Sequence, residues 1–193
     1  MVSHKEALRR LIEGNERFRA KQPLLPPDDL SQYVAGQAPI AAVLSCADSR
    51  VPLELIFNQS VGALFVVRVA GNIAGDSQIG SLEFAVNNLG CNLVVVLGHT
   101  HCGAVKAALG NDDSGVPPSM LPILAEIRTG LRGNGTKPEP ADGFAATKQN
   151  VVHTQNKILS ASTILQHETT AQTTAVVGGL YDIESGKVDF FDS

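Results

Sequence analysis

Two cysteines, a histidine, an aspartate and an arginine stand where two apolar runs of this chain end. The first run, Leu93-Val94-Val95-Val96-Leu97, reads as a strand buried on both faces that stops at Gly98 and delivers His99 and Cys102 at its end. Past the glycine, residues 99–103 are expected to turn into a helix that begins at Ala104, so that side chains three apart converge on one ion. Taken alone, such a pair is a weak signal, because a satisfied histidine beside a cysteine packed as a small hydrophobe has the same sequence. The second run, Pro39 to Leu44, leads straight into Ser45-Cys46-Ala47-Asp48-Ser49-Arg50. In extended chain Cys46, Asp48 and Arg50 point to one side, which puts a thiolate, a carboxylate and a guanidinium at the carboxyl end of a strand, where parallel α/β sheets carry their sites.

Cys46, His99 and Cys102 together form a Cys2His set, which suits zinc and leaves a fourth position for water, substrate or Asp48. Three protein ligands imply a working metal. A closed set with Asp48 as fourth ligand is the structural alternative, although structural zinc prefers four Cys or His ligands.

Cys46-x-Asp48-x-Arg50 followed by His99-x-x-Cys102-Gly103 resembles the β-class carbonic anhydrases, and the likeness runs from Gln37 through Leu109 and resumes from Val176 to Phe190. The resemblance implies one zinc ion per chain and reversible hydration of carbon dioxide to bicarbonate and a proton by zinc-bound hydroxide. It implies that Asp48 and Arg50 are the catalytic pair and that the Gln37 amide bonds substrate oxygens. Phe65 would wall the apolar side of the pocket and the Gly103 N–H would assist at developing oxygen charge. Phe84 stands where many members have a tyrosine, so any role of that hydroxyl in orienting substrate or moving protons is in doubt here. The family also implies a homodimer or a higher homo-oligomer.

Charge explains why Asp48 would be needed. Two thiolates neutralise the zinc charge and leave it a weaker Lewis acid than three neutral histidines do; the three-histidine carbonic anhydrases bring their bound water to about 7, against about 9 for aqueous zinc. A carboxylate held by a bidentate guanidinium stays ionised and can orient the attacking oxygen, while the guanidinium keeps it off the metal. Members in which the aspartate ligates zinc include some switched by bicarbonate, and these carry a tryptophan three residues before the first zinc cysteine. Here that residue is Val43 and the chain has no Trp, so an open site without that switch is expected. His101 is a candidate proton relay, with a solvent-facing residue of no catalytic part as the equal alternative.

The elements that must hold these residues follow from the patterning. The 193 residues, 44% hydrophobic and 18% charged, suit a single domain over 1–193, with an N-terminal helical arm and loop over 1–38 and an α/β core over 39–193. Net charge −4 without a basic cluster argues against nucleic acid, and no apolar run approaches the roughly 20 residues that span a bilayer. A polar, charged start makes a soluble cytoplasmic protein the simplest assignment, with a carbon-fixing compartment and an upstream targeting segment left open. Cys91 reads as a packed free thiol.

Ser3 and Glu6 suggest a capping box ahead of a helix with the stripe Leu8, Leu11, Ile12 and Phe18, which would pack on its own sheet or across a partner. Pro23, Pro26 and Pro27 should end it in a loop to Ala38. Further expected elements are a short helix over 52–57, a strand over 63–69 and a helix ended by Gly90 with Leu82, Ala85, Val86 and Leu89 on its apolar face. Beyond Cys102, helices are expected over 120–131 and 144–166, with strands over 174–183 and 188–191 and loops over 110–119 and 133–143. Helices alternating with strands give an α/β fold: a mostly parallel central sheet with an antiparallel edge strand, flanked by helices. Two other functions fit the motif: carbonyl sulfide or carbon disulfide hydrolysis on the same scaffold, and a non-enzymatic zinc-stabilised module of an assembly, which has no use for an Asp48–Arg50 pair.

Overall fold

The structure, a computed structural model, describes residues 2–22, 29–110, 112–132 and 143–191. In chain order the elements are α1 (His4–Arg19), β1 (Ala41–Ser45), α2 (Leu53–Ile56), β2 (Leu64–Arg68), α3 (Asp76–Leu89), β3 (Leu93–His99), α4 (Gly103–Leu109), α5 (Leu121–Arg132), α6 (Gly143–Ala161), α7 (Thr163–Thr170), β4 (Ala175–Tyr181) and β5 (Val188–Phe191). The sheet runs β2-β1-β3-β4-β5. Its first four strands are parallel, and β5 pairs antiparallel to β4. The expected parallel sheet with an antiparallel edge is therefore present.

Side chains alternate across this sheet and so build two cores. Ala41, Val43, Leu93, Val95 and Leu97 face α1 and α2, while Ala42, Leu44, Val94 and Val96 face α3, α6 and α7. A third cluster, in which Cys46 and Cys102 meet Leu124, Ile127 and Leu131 of α5, closes the carboxyl end of β1 and β3. The site thus sits at the carboxyl end of the buried strands β1 and β3.

The N-terminal helix packs on its own chain. Ser3 accepts the Glu6 N–H as N-cap, but the Glu6 carboxylate turns to Arg9 and Arg10 instead of completing the box. The buried stripe is Ala7, Leu11, Gly14 and Asn15 with Leu8 and Phe18 beside it; Ile12, expected on that stripe, is 40% exposed. Asn15, a polar residue, replaces an apolar anchor because its amide donates to the Ile56 and Gly186 carbonyls and its oxygen accepts the Val188 N–H.

Two boundaries differ from expectation for clear reasons. The helix expected over 144–166 breaks at Ser162, whose hydroxyl caps α7 by accepting the Leu165 N–H at 3.1 Å and donates to Glu83 at 2.6 Å. Gly98 does not end its strand: β3 continues to His99, and Gly98 pairs with Leu180. Its missing side chain serves close packing instead, since a Cβ there would lie 2.7 Å from methyl groups of both Thr147 and Val151 on α6. Pro23, Pro26 and Pro27, and the loop expected over 133–143 apart from Gly143, lie outside the described residues.

Candidate metal centre

The strands bring Cys46 and His99 together by register. Ser45, the last residue of β1, pairs with Leu97, so the residue after it and the second residue after Leu97 emerge side by side at the carboxyl edge. Cys102 then arrives through a tight turn, in which His101 adopts φ +56°, and serves as N-cap of α4 in extended conformation. The expected helical i, i+3 convergence is replaced by a strand end, a turn and a cap.

The ligand atoms of Cys46, His99 and Cys102 lie within 4.8 Å of one another, and all three residues are buried. The two sulfurs are 4.0 Å apart and unbonded; two thiolates on one tetrahedral zinc, at about 2.3 Å each, would stand about 3.8 Å apart. The His99 ring fits the same purpose. Its Nδ1 lies 2.8 Å from the Thr100 carbonyl, an acceptor, so this nitrogen carries the proton. Nε2 is left with its lone pair, buried and without a partner among the described residues. An orphaned ring nitrogen between two cysteine sulfurs is a fit for zinc.

Electrostatics supports the same view. The Cys46 thiol is pulled down to about 4, first by the hydrogen bond from Cys102, against the opposing effect of burial, with the Gly71 N–H adding to it. Cys102 is driven upward because it shares its proton with Cys46 and is itself buried. The pair holds one thiolate unaided, and metal displaces the remaining proton.

Asp48 and Arg50 do not continue the strand as expected. Chain direction changes there because the Asp48 carboxylate accepts the Arg50 backbone N–H at 2.9 Å, a local turn that aspartate favours. The Arg50 guanidinium folds back onto the same carboxylate, Nε to Oδ1 at 2.9 Å and Nη2 to Oδ2 at 2.7 Å, and Nη2 also donates to the His101 carbonyl at 3.1 Å. These bonds, Arg50 foremost, hold the Asp48 carboxyl far below the usual carboxylate range. Its Oδ2 lies 3.8 Å from His99 Nε2, so the pair stands at the rim of the ligand set.

A model of the carbonic anhydrase family matches residues 41–188. The chain belongs to the β-carbonic anhydrase family. It is similar to the carbonic anhydrase of Mycolicibacterium smegmatis, 38% identical over 189 residues that cover 95% of this chain and 91% of that one. Among solved structures, the β-carbonic anhydrase CcaA matches with a TM-score of 0.73 at 29% identity, covering 96% of this chain and 95% of the other. One of two tetrameric β-carbonic anhydrases from Sordaria macrospora shares the fold, with a TM-score of 0.74 at 23% identity over 84% of this chain and 85% of that one. β-Carbonic anhydrases use zinc, and Cys46, His99 and Cys102 are the residues of this member that fit it.

The other residues implied by the family likeness are placed more loosely. Gln37 is exposed in the loop before β1, and Gly103 is exposed at the start of α4, where an added Cβ would meet nothing within 4 Å. Phe65 is half-buried on β2 opposite Ala42, and Phe84, 46% exposed on α3, has its ring centroid 6.2 Å from that of Phe65. His101 is exposed, and the atom it contributes to the site is its carbonyl.

Sequence reasoning missed Arg68, Thr100 and Asn150. Arg68, the last residue of β2, donates to the Cys46 and Asp48 carbonyls at 3.1 and 2.6 Å and so fastens the loop between them; a charged residue closing an apolar strand beside a metal-ligand strand was the available signal. Thr100 accepts the Ile183 N–H and donates to Asp182, which ties the His99 turn to β4.

Proposed function

We propose that Asp48 and Arg50 orient the nucleophile in this β-carbonic anhydrase, whose family reaction is the zinc-dependent reversible hydration of carbon dioxide to bicarbonate and a proton. The observation that carries this reading is the bidentate Asp48–Arg50 pair, with Asp48 Oδ2 3.8 Å from the lone-pair nitrogen of His99. When bound, zinc lowers the pKa of a water molecule and presents it as the nucleophile.

Everything else falls to this chain's own groups. Asp48 stays ionised across the working pH range and accepts a hydrogen bond from the attacking oxygen, turning its free lone pair towards carbon dioxide. Arg50 neutralises that carboxylate, engages both of its oxygens and is itself tied to the His101 carbonyl. With both Asp48 oxygens so engaged, a metal held by Cys46, His99 and Cys102 would keep a position free for water, and Val43, in place of the tryptophan of the bicarbonate-switched members, fits an enzyme without that switch. On the substrate side we place Phe65 and Phe84 as the apolar wall and the Gln37 amide and Gly103 N–H as donors to developing oxygen charge.

Assembly and location belong to the same proposal. The edge strand β2 leaves Leu64, Phe65, Val66 and Val67 only half-buried, and Val61 and Phe84 are 51% and 46% exposed beside it. That edge suits a second copy of the chain, in a homodimer or a larger assembly such as the tetramers of the Sordaria macrospora relatives. No described helix is long and apolar enough to cross a membrane, and three free cysteines suit the reducing cytoplasm.

The test is stopped-flow hydration of carbon dioxide from pH 6.5 to 9 on protein of measured zinc content, with Asp48→Ala in parallel. Fast hydration throughout and a large loss in the variant are expected. Zinc-loaded protein inactive on carbon dioxide but active on carbonyl sulfide would overturn the reading.

A further inference from the structure

A chain of two hydrogen bonds reaches Cys46 from behind. The Gly71 N–H donates to the Cys46 sulfur at 3.3 Å, and the Gly71 carbonyl accepts from the Asn150 amide at 2.8 Å. Gly71 sits in an unusual turn: its φ is +70° and that of Asn72 is +45°, two consecutive residues in the left-handed region. A side chain at 71 would be strained by the positive φ and would crowd Ile127 Cδ1 at 2.6 Å and Ala104 Cβ at 3.3 Å. Glycine followed by asparagine is the pair that adopts such a turn at least cost. Asn150 is fully buried on α6, and the partner its amide finds there is the Gly71 carbonyl.

We propose that Asn150 is a positioning residue for the metal centre: through the Gly71 peptide it aims an N–H at the Cys46 thiolate and so withdraws charge from that ligand. The effect answers the weakness of this ligand set. Two thiolates leave the metal a poor Lewis acid, and a hydrogen bond to one of them restores part of its acidity, as partners behind metal ligands do elsewhere. The carboxamide suits the task because it donates to the Gly71 carbonyl while remaining uncharged beside a thiolate; an acid would repel the sulfur and a base would neutralise it outright.

This inference rests on the metal reading above, and cobalt substitution tests the two separately. The wild-type protein loaded with cobalt should show a thiolate-to-cobalt charge-transfer band in the near ultraviolet; its absence would sink the Cys46–Cys102 metal site itself. Asn150→Ala should move that band to longer wavelength, because the thiolate without its hydrogen bond gives up an electron more easily. The pH midpoint of hydration by the zinc form should rise with it, and activity at neutral pH should fall about 10- to 100-fold. Thr154→Ala, which removes a buried hydroxyl one turn further along α6, is the control and should leave the band and the midpoint in place. If Asn150→Ala does not fold, Asn150→Leu, of similar shape and without a donor, is read in the same way. An unmoved band and midpoint in the Asn150 variant, or equal movement in Thr154→Ala, would overturn the proposal.

Discussion

Arg50 grips Asp48 through its own backbone as well as its side chain: the N–H and Nε both donate to Oδ1 at 2.9 Å, and Nη2 donates to Oδ2 at 2.7 Å. A residue two positions away thus fixes both the direction and the charge of the carboxylate. Because the Asp48 pKa is depressed on folding, the ionised pair contributes in full above about pH 4, the ordinary aspartate value, and its contribution fades only as acid reaches the depressed value. No loss of activity between pH 5 and 7 should therefore originate at Asp48.

Releasing the grip should cost activity in a recognisable way. In Arg50→Leu the carboxyl returns towards its ordinary range, and Asp48 becomes free to turn to the nearby ligand set and occupy the open position. Hydration should fall by about 10²-fold or more across neutral pH. X-ray absorption on the zinc form should still count one oxygen beside the two sulfurs and one nitrogen, but with the outer carbon of a bound carboxylate behind it in place of a water. Asp48→Asn should lose activity to a similar degree while its oxygen ligand remains a water with no carboxylate carbon behind it, which separates the two roles.

Stripping the metal should abolish hydration while leaving the fold. The two large cores lie on either side of the sheet and contain none of the ligands, so the far-ultraviolet circular dichroism of chelator-treated protein should match the zinc form. In that metal-free protein alkylation should report the cysteines apart. Cys46, held near 4, is already a thiolate at pH 6, so its rate should stay flat from pH 6 to 9. Cys91, pushed up to about 11 by burial, should react more slowly, with a rate that climbs with pH throughout. Mass spectrometry of the labelled peptides reads both; a Cys46 rate climbing tenfold per pH unit would contradict the arrangement.

The parts of this protein that were legible in its sequence are those written in consecutive residues. Val94-Val95-Val96 between two leucines announces a buried strand wherever it occurs, and the Cys46, His99 and Cys102 types identify a zinc set before any coordinates are known. What escaped depends on distant partners. The Asn150 amide acts on Gly71, and the Arg68 guanidinium on the Cys46 and Asp48 carbonyls; neither partner can be guessed from local pattern. Gly98 was legible as a glycine but not as the place where α6 approaches the sheet. Ser162 was hidden for another reason: Ala161 and Thr163 both accept helical conformation, so only the hydroxyl's cap on Leu165 marks the break.

Ser162 supplies a prediction independent of the metal. Ser162→Ala removes the cap of α7 and the hydrogen bond to Glu83, both at a residue only 1% exposed. Stability should drop by about 1 kcal/mol for the cap, up to about 2. Hydration per zinc should stay at the wild-type level, because α7 packs beneath the opposite end of the sheet through Leu165. Urea denaturation monitored by circular dichroism, paired with stopped-flow hydration, checks both halves.

Gly98→Ala should disturb stability and the metal centre together. The added methyl would fall 2.7 Å from Thr147 Cγ2 and from Val151 Cγ2, and both belong to a helix that is buried along this face, so neither can rotate clear. Either α6 lifts from the sheet or β3 bends at the residue next to His99. Overpacking of this kind costs about 1–3 kcal/mol, measurable as a lower urea midpoint. Lifting α6 also pulls Asn150 from the Gly71 carbonyl, and bending β3 moves His99 off the two sulfurs, so zinc should leave the variant faster in a chelator competition than it leaves wild type. A variant that loses stability yet holds zinc as tightly as wild type would show that the sheet absorbs the methyl without passing the strain to the site.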